Sequence, residues 1–470
     1  MKRWMMVVIS MGVIIGAIAG LSAVTYLVSY LAETHLGEGI GRLTNIIFLI
    51  LVFVMVIATL LTVAERKWSA MMQDRVGPNR AWLDIPGLRR KSFGGLTHLL
   101  ADVPKMLFKE DLVPAKVNRL MFELGPVLAF APVFALFAVL PAGPSINWNN
   151  HVIDMVVATP DFGMLYLFAI ASLAVYGTSL AGWASNNKFA LLGGVRASSQ
   201  MISYEVALGL SLVGLFICFS TVQLPALIAG QGAYLWKADL HFGSHILDVG
   251  LPAWGIFLQP VGFLLFFAAA FAETKRAPFD VPEGESEIIG YFVEYSGMKF
   301  GMFMISEFVE MVVFAATLAI VFFGGWHLPG IGDESLLRWS SHHGGDLGPL
   351  LYGVILSTVF WLKVIVLLYV QFAIRWTFPR FRYDQIQTLG WKILLPMGIV
   401  NLFVTGALVL WDPTLRWLAI LGIVEIGIVI ALSVKGEPEA AHGDHAHDDH
   451  DKGAHAAHPA PAAATAAHPH

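Results

Sequence analysis

Apolar residues in this chain fall in long, unbroken runs, without the regular polar interruptions of a soluble amphipathic helix. Ten of these runs reach the length, about 20 residues, that a helix needs to cross roughly 30 Å of hydrocarbon. They lie at approximately 5–31, 44–64, 121–141, 163–183, 200–220, 255–273, 301–324, 351–374, 393–411 and 415–434. The pattern predicts an all-α integral membrane protein, a polytopic bundle of about ten transmembrane helices. The first run follows Met1, Lys2 and Arg3, but it is longer than a signal-peptide core and shows no clear small-residue cleavage site, so it reads as a span. One shorter pattern stands apart. In "GGLTHLLADVPKMLFKE", residues 94–110, Leu96, Leu99, Leu100, Val103, Met106 and Leu107 recur at spacings of three and four, with Asp102, Lys105 and Lys109 on other faces. That spacing predicts an amphipathic helix lying in the interface or roofing a cavity.

Charge orients the spans. With a cytoplasmic N-terminus, Lys and Arg number 24 in the cytoplasmic segments, 11 of them between residues 65 and 120, against three outside at Arg42, Lys237 and Arg338. The positive-inside rule then puts both termini in the cytoplasm. Trp183, Trp254, Trp376, Trp391, Trp411 and Trp417 lie near span ends, as interfacial anchors should.

The composition, 57% hydrophobic and 13% charged, sets the chain apart from a soluble domain, in which about a quarter of residues are charged. The single cysteine, Cys218, excludes a disulfide framework, a cysteine zinc site and an iron–sulfur cluster held within this chain. The ten runs contain no histidine, which argues against an intramembrane haem, and no dinucleotide fingerprint, phosphate loop or metal-ligand spacing appears. Electrons, if involved, would come from another subunit. No internal repeat is visible, which argues against a repeat-built transporter. The final segment, "AAHGDHAHDDHDKGAHAAHPAPAAATAAHPH", holds eight of the sixteen histidines and few large apolar residues, so a disordered tail is expected over 435–470, with metal buffering the lesser reading.

Ionisable residues inside the runs carry the candidate chemistry. Glu123, Glu205, Glu307, Glu310, Lys363 and Glu425 fall within or at the edges of spans, where a charge costs about 2.5 to 3.5 kcal/mol. Each should face the protein interior or water and find a partner. A functional role is expected for Glu205 and Glu307, and a structural one for Glu310 and Glu425. Between the sixth and seventh runs, "AETKRAPFDVPEGESEIIGYFVEYSG", residues 272–297, crowds Glu273, Asp280, Glu283, Glu285, Glu287 and Glu294 together. If that segment is helical, Glu283, Glu287 and Glu294 share a face on which like charges repel. A solvated acidic loop is one reading. The other, given Glu205 and Glu307 nearby, is a file of carboxylates that share protons because proximity and burial raise some of their pKa values. Two further cytoplasmic stretches stand out. "AERKWSAMMQDRVGPNRAW" sets Glu65 beside Arg66 at a membrane boundary, and "RWTFPRFRYDQ" interleaves Arg375, Arg380 and Arg382 with Tyr383 and Asp384.

Several long motifs, in order, resemble one family: "AERK", "DRVGPNR", "ADVPKMLFKED", "AGWASNNKFALLGGVRASSQMISYEVALGLSL", "PFDVPEGESE", "VEYSGMKFG" and "FPRFRYDQ" followed by "GWKILLP". Over about residues 44–411 the chain is similar to the H-type membrane subunits of bacterial NADH:quinone oxidoreductase, respiratory complex I. The resemblance implies eight core helices forming much of the tunnel by which ubiquinone or menaquinone enters from the membrane. It implies docking beneath a peripheral arm whose terminal iron–sulfur cluster reduces the quinone, with the clusters and FMN held by partner subunits and no catalytic or metal residue in this chain. Other implied neighbours are small membrane subunits, antiporter-like subunits and lipids of the bacterial inner membrane, with no nucleic acid. Carried over position by position, the quinone site and its rim would involve Glu65, Arg66, Arg75, Asp102, Lys105, Glu110, Arg380, Arg382 and Asp384. The proton path would involve Glu205, Glu273, Asp280, Glu283, Glu285, Glu287, Glu294 and Glu307.

The chain departs from the eight-helix pattern in an extra N-terminal helix and external loop over 1–43, an extra C-terminal helix over 412–434, and the tail. Packing against a neighbouring subunit is the expectation for the added helices, and Glu310 stands outside the motifs. Two other classes remain open. One is the membrane subunit of an energy-converting hydrogenase, which binds no quinone and is disfavoured by "FPRFRYDQ" and "DRVGPNR". The other is a stand-alone channel or carrier, disfavoured by the absence of repeats and by the cytoplasmic motifs.

Overall fold

The helix Gly297–Phe322 carries almost no polar face, and every residue from 306 to 322 is buried. A helix that is apolar all round has to be wrapped by others, and the fold is the wrapping of this one. The computed structural model describes residues 2–37, 40, 43–44, 47, 54–81, 95–149, 151–242, 245–284, 287–329 and 332–434. Part of the second predicted span, Glu285 and the tail over 435–470 lie outside the described residues.

In chain order the helices are α1 (Lys2–Leu36), α2 (Met55–Met72), α3 (Thr97–Phe108), α4 (Arg119–Ala135), α5 (Gly163–Ala184), α6 (Lys188–Phe219), α7 (Leu224–Gln231) and α8 (Gly255–Leu258). There follow α9 (Pro260–Glu273), α10 (Gly297–Phe322), α11 (Asp333–Gly344), α12 (Gly348–Thr377), α13 (Tyr383–Thr388), α14 (Leu395–Trp411) and α15 (Arg416–Val434). Around α10 pack α2, α3, α4, α7 and α12, while α6 lies against α5, α9 and α14. Residues 1–426 form one compact unit, and residues 427–470 a second, of which the end of α15 is described.

Among the described residues, eight helical segments are long and apolar enough to cross a membrane. The protein is an all-α polytopic membrane protein. The sixth predicted span differs from expectation. It is split at Gln259 into the one-turn α8 and the 14-residue α9, which starts at Pro260. A break at membrane depth requires its polar groups to be satisfied by neighbours. The Gln259 amide meets that need by donating to Thr405 Oγ1 and accepting from Asn401 Nδ2 at 2.7 Å, both on α14.

Two antiparallel hairpins add a little sheet to the helical pattern: β1 (Ile146–Trp148) with β2 (His151–Ile153), and β3 (Tyr234–Phe242) with β4 (His245–Pro252). Ile146 opposes Ile153 in the first and Tyr234 opposes Pro252 in the second. Both lie in connections between spans, where open strand edges can be hydrated.

Helix contacts depend on small residues, as they do where lipid supplies no hydrophobic drive between helices. A Cβ on Gly177 of α5 would lie 2.4 Å from the Ala129 backbone nitrogen of α4, and one on Gly182 would lie 2.6 Å from the Ala190 carbonyl oxygen of α6. The added helix α1 is held within this chain: Ser22, Thr25, Tyr26 and Ser29 are buried, and Tyr26 Oη donates to the Pro144 carbonyl at 3.0 Å. Its other side exposes Ile14, Val24, Leu27 and Leu31.

Lys363 shows how a cation inside a span is satisfied. Its ammonium donates to the carbonyls of Phe323 (2.7 Å), Gly325 (2.9 Å) and His327 (2.6 Å), just beyond α10, and sits 4.4 Å from the centre of the Trp254 ring. Trp254 is therefore buried against a charge, whereas Trp183, Trp391, Trp411 and Trp417 are exposed as lipid anchors are. Glu123 pairs with Arg119 at 2.8 Å on an exposed face of α4.

Replacing Gly177 by Leu should force α4 and α5 apart and cost about 1–3 kcal/mol or more. Thermal unfolding of the detergent-solubilised complex should then shift downward, and an unchanged midpoint would contradict the close contact.

Candidate functional site

The C-terminal half of α2 carries Glu65 and Arg66 on successive residues, which a helix directs to different sides. Arg66 faces a cavity. It lines a space of about 500 Å³ together with Glu65, Ser69, Arg75, Asn79, Arg80, His98 and Trp376. It also lines a second, of about 380 Å³, with Asp102, Lys105, Lys109, Tyr295, Ser296 and Phe300. Arg66 Nη1 donates to Asp102 Oδ2 at 2.9 Å, so this pair stands where the two spaces meet. Helix α3 presents Asp102 and Lys105 to the cavity while Leu100, Val103, Leu107 and Phe108 are exposed. Its polar face thus turns toward the bundle and its apolar face away from it.

Glu65 turns to the interior. Its side chain is 14% exposed and meets two guanidiniums: Arg276 Nη1 donates to Oε2 at 3.0 Å, and Arg375 pairs with Oε1. Arg276, 4% exposed, continues to Glu307 of α10 through an Nη2–Oε2 contact of 3.6 Å and stacks 4.3 Å above the Phe308 ring. Glu307 Oε1 accepts from Tyr291 Oη at 3.2 Å, and a further buried carboxyl, Glu283, lies within close electrostatic reach of Glu307. Burial first, and then the Glu307 charge, push Glu283 well above the usual carboxylate range. Burial and the same carboxylates also push the Tyr291 phenol up.

A second group lies beside the first. Lys275 Nζ is 3.8 Å from Glu310 Oε2, both side chains 4% exposed, and Glu273 lies within electrostatic reach of Glu310, Glu205 and Lys275. The segment carrying these residues is held by turns. Glu283 N–H donates to the Asp280 carbonyl at 3.2 Å and Glu287 N–H to the Gly284 carbonyl at 2.7 Å. The helical-face alternative for Glu283, Glu287 and Glu294 therefore gives way to a folded loop that sends each elsewhere, with Gly284 and Gly290 both at positive φ.

The residues singled out from the sequence separate accordingly. Glu65, Arg66, Arg75, Asp102 and Lys105 line the two cavities. Glu110 is exposed, with its carbonyl accepting from Ser296 Oγ at 3.1 Å on the rim of the second. Arg380, Arg382 and Asp384 line neither. Arg380 holds Asp280 of the acidic loop through Nε–Oδ1 at 3.0 Å and Nη2 to the carbonyl at 2.8 Å, while Arg382 and Asp384 form an exposed pair at 2.7 Å. Of the acids, Glu273, Glu283 and Glu307 belong to the two buried groups, and the half-buried Glu205 lies within electrostatic reach of Glu273. Glu287 is exposed and pairs with Arg196 at 3.0 Å, and Glu294 accepts from Asn187 Nδ2 at 2.7 Å beside a separate surface hollow.

Sequence patterns do not single out the cations. Lys275 and Arg276 look like topology signals, Arg375 stands out only as one of the arginines in its stretch, and Glu310, expected to be structural, is a member of the cluster. A signal is present all the same: Lys275 and Arg276 directly follow a span ending in an acid, where some cations must neutralise buried carboxylates.

The fold is that of a helical membrane bundle in which Glu65 lines a cavity and also pairs with a buried guanidinium. Comparison with known proteins gives the family. A profile described as NADH dehydrogenase matches residues 44–406. The NADH-quinone oxidoreductase H subunit of Cytophaga hutchinsonii, the copy numbered 1, is 39% identical over 369 residues, covering 78% of this chain and 96% of that protein. The H subunit of Flavobacterium psychrophilum is 40% identical over 362 residues, covering 77% and 95%, and that of Bdellovibrio bacteriovorus 38% identical over 387, covering 79% and 97%. The chain belongs to the NADH dehydrogenase family and is a membrane subunit of an NADH-quinone oxidoreductase.

The raised Glu283 value carries a sign. A carboxyl whose folded value lies above its unfolded one keeps a proton that the unfolded chain gives up, so its contribution is full below the unfolded value, about 4.3, and is lost as pH rises through the folded one. The unfolding midpoint of the solubilised complex should fall as pH is raised, and Glu283→Gln, which needs no proton, should flatten that fall. An equal slope in both proteins would contradict the raised value at Glu283.

Proposed function

We propose that this chain forms a quinone-access cavity at the cytoplasmic face of a bacterial inner membrane and couples reduction of the quinone there to proton translocation. Residues 44–411 carry this machinery. The helices in 1–43 and 412–434, and the tail over 435–470, add to it at the periphery, with both termini cytoplasmic.

One observation carries the reading: Glu65 belongs both to the cavity wall and, through Arg276, to the pair formed by Glu307 and Glu283. Arg66, Arg75 and Lys105 offer donors to a polar head group, and the Arg66–Asp102 pair sits where a head group passing between the two cavities would meet it. A redox centre in the peripheral arm reduces the quinone by two electrons, and the quinol forms by taking up two protons. Each change of charge in the cavity acts on Glu65 in surroundings of low dielectric, where a charge a few ångströms away is felt strongly. Because Glu65 shares Arg276 with Glu307, any loosening of one pair tightens the other and changes how readily Glu283 and Glu307 hold their proton. Glu205, Glu273, Glu310 and Lys275 continue the path toward antiporter-like subunits. The exposed apolar face of α3, with Leu100, Val103, Leu107 and Phe108, suits the membrane interface or the underside of the peripheral arm.

Photolabelling of the intact complex with an azido-quinone should modify peptides within residues 66–110, and excess quinone should remove the label. Arg66→Ala should lower competable labelling by about ten-fold, as expected for a lost charge-assisted contact of roughly 1.5 kcal/mol. Failure to label this chain while the analogue still inhibits NADH oxidation would move the site to a partner subunit. Glu307→Gln should assemble yet pump few protons per NADH oxidised, and wild-type stoichiometry would remove Glu307 from the path.

A further inference from the structure

The two buried clusters differ in the kind of cation that holds them. Glu65 and Glu307 are clamped by the guanidiniums of Arg276 and Arg375. Glu310 faces the ammonium of Lys275, with Glu273 close by. A guanidinium stays protonated under all conditions a protein meets, so an arginine pair can sense a charge and move with it but cannot carry a proton onward. A buried lysine can give its proton up.

Three features of Lys275 go beyond a counter-charge. Its backbone lies in the left-handed region, φ +56°, just past the end of α9, where glycine would cap the helix without steric cost. A lysine is kept there nonetheless, with its whole side chain buried. Its contact with Glu310, at 3.8 Å, is longer than a hydrogen bond, so the ammonium is attracted without being locked. Glu273, 3% exposed, has an oxygen, Oε2, with no hydrogen-bond partner among the described residues. That open carboxyl oxygen lies within electrostatic reach of the Lys275 ammonium, farther off than Glu310, and is an available proton partner when the flexible lysine side chain swings toward it.

We propose that Lys275 is a proton-exchanging residue of this cluster, moving protons between Glu273 and Glu310. In the forward step an Nζ–H bond of the ammonium breaks as an O–H bond forms on the Glu310 carboxylate. The neutral amine then takes the proton of a protonated Glu273, whose O–H bond breaks as the N–H bond reforms. The net result is one proton transferred from Glu273 to Glu310 with Lys275 restored, and the reverse sequence runs equally. The groups facing the exchange are Glu205 of α6, Glu273 at the end of α9, Arg276 of the following turn, and Glu307 and Glu310 of α10. The inference rests on the proton-path reading and assigns within that path a group other than the carboxylates.

Lys275→Arg and Lys275→Gln separate exchange from simple neutralisation. Both variants would be made in the full complex, with assembly followed by NADH oxidation through a hydrophilic acceptor that bypasses the quinone. Proton exchange requires both to lower proton yield per NADH with quinone by about ten-fold or more. An arginine variant that pumps like the wild type while the glutamine variant fails would reduce Lys275 to a counter-charge and overturn the proposal. Full pumping by both would overturn it as well. Glu307→Gln run in parallel tells the two failures apart: if it also pumps fully the proton-path reading falls, and if it alone loses pumping only the role of Lys275 falls. Should the bulky arginine prevent assembly, thialysine in place of Lys275 offers a less basic amine. Its alkaline limb of coupled turnover should move to lower pH, and an unmoved limb would overturn the proposal.

Discussion

Burying the guanidinium of Arg276 obliges the rest of the interior to be arranged around it. A charge taken out of water into a helix bundle loses several kcal/mol of solvation, which is recovered only with opposite charges in good geometry. Arg276 has Glu65 on one side, Glu307 on the other, and the face of Phe308 beneath. Removing one partner of such a set leaves an uncompensated buried charge at a cost of about 3–5 kcal/mol, so α2, the loop after α9, and α10 are bound into one unit by it. Arg375 brings in α12 through the same Glu65. The apolar wrapping of α10 supplies the low-dielectric surroundings, and the ion pairs fix the register in which the wrapping helices meet.

In the proposed function this arrangement would join a surface event to an interior one. Glu65 lies at the floor of a polar cavity and is bound to guanidiniums that also serve the interior carboxylates. The interior holds groups of different chemistry: Arg276 and Arg375 carry permanent charge, burial beside Glu307 raises Glu283 above the usual carboxylate range, and Lys275 lies 3.8 Å from Glu310. A disturbance at Glu65 can be passed through fixed charges and then become a change in proton occupancy. Excess carboxylate in the turn between α9 and α10 is therefore matched by cations from α9's end and α12, and only part of it faces solvent.

Much of this is legible in the sequence because bilayer thickness and burial of charge are stringent constraints. Uninterrupted apolar runs mark the spans, and Glu307 stands out because an acid within such a run must have a partner. The break at Gln259 has a local mark in Pro260, which cannot continue a helix, but the anchoring of the Gln259 side chain on Thr405 and Asn401, about 140 residues away, is not legible. The acidic stretch is plain in the sequence, but its division is not. Glu287 and Glu294 turn outward to Arg196 and Asn187 because the chain there follows turns, which neither a 3.6-residue nor a two-residue period can reveal. Lys275 and Arg276 escape notice, and the inward turn of Arg375 is not foreseen, for a related reason. Cations at cytoplasmic helix ends ordinarily orient a membrane protein, and which of them turn inward depends on tertiary contacts with α2 and α10.

The central claim is that charge in the cavity is felt at the buried carboxyl pair through Glu65 and Arg276. Redox-induced infrared difference spectroscopy of the intact complex reads it most directly, because protonated carboxyl groups absorb apart from the amide bands. Reduction of the quinone should change the carboxyl bands, Glu283→Gln should remove one component, and Glu65→Gln should abolish that same component although residue 283 is untouched. A carboxyl signal from Glu283 that persists undiminished in the Glu65→Gln protein would contradict the account, since the cavity would then reach the interior by another route.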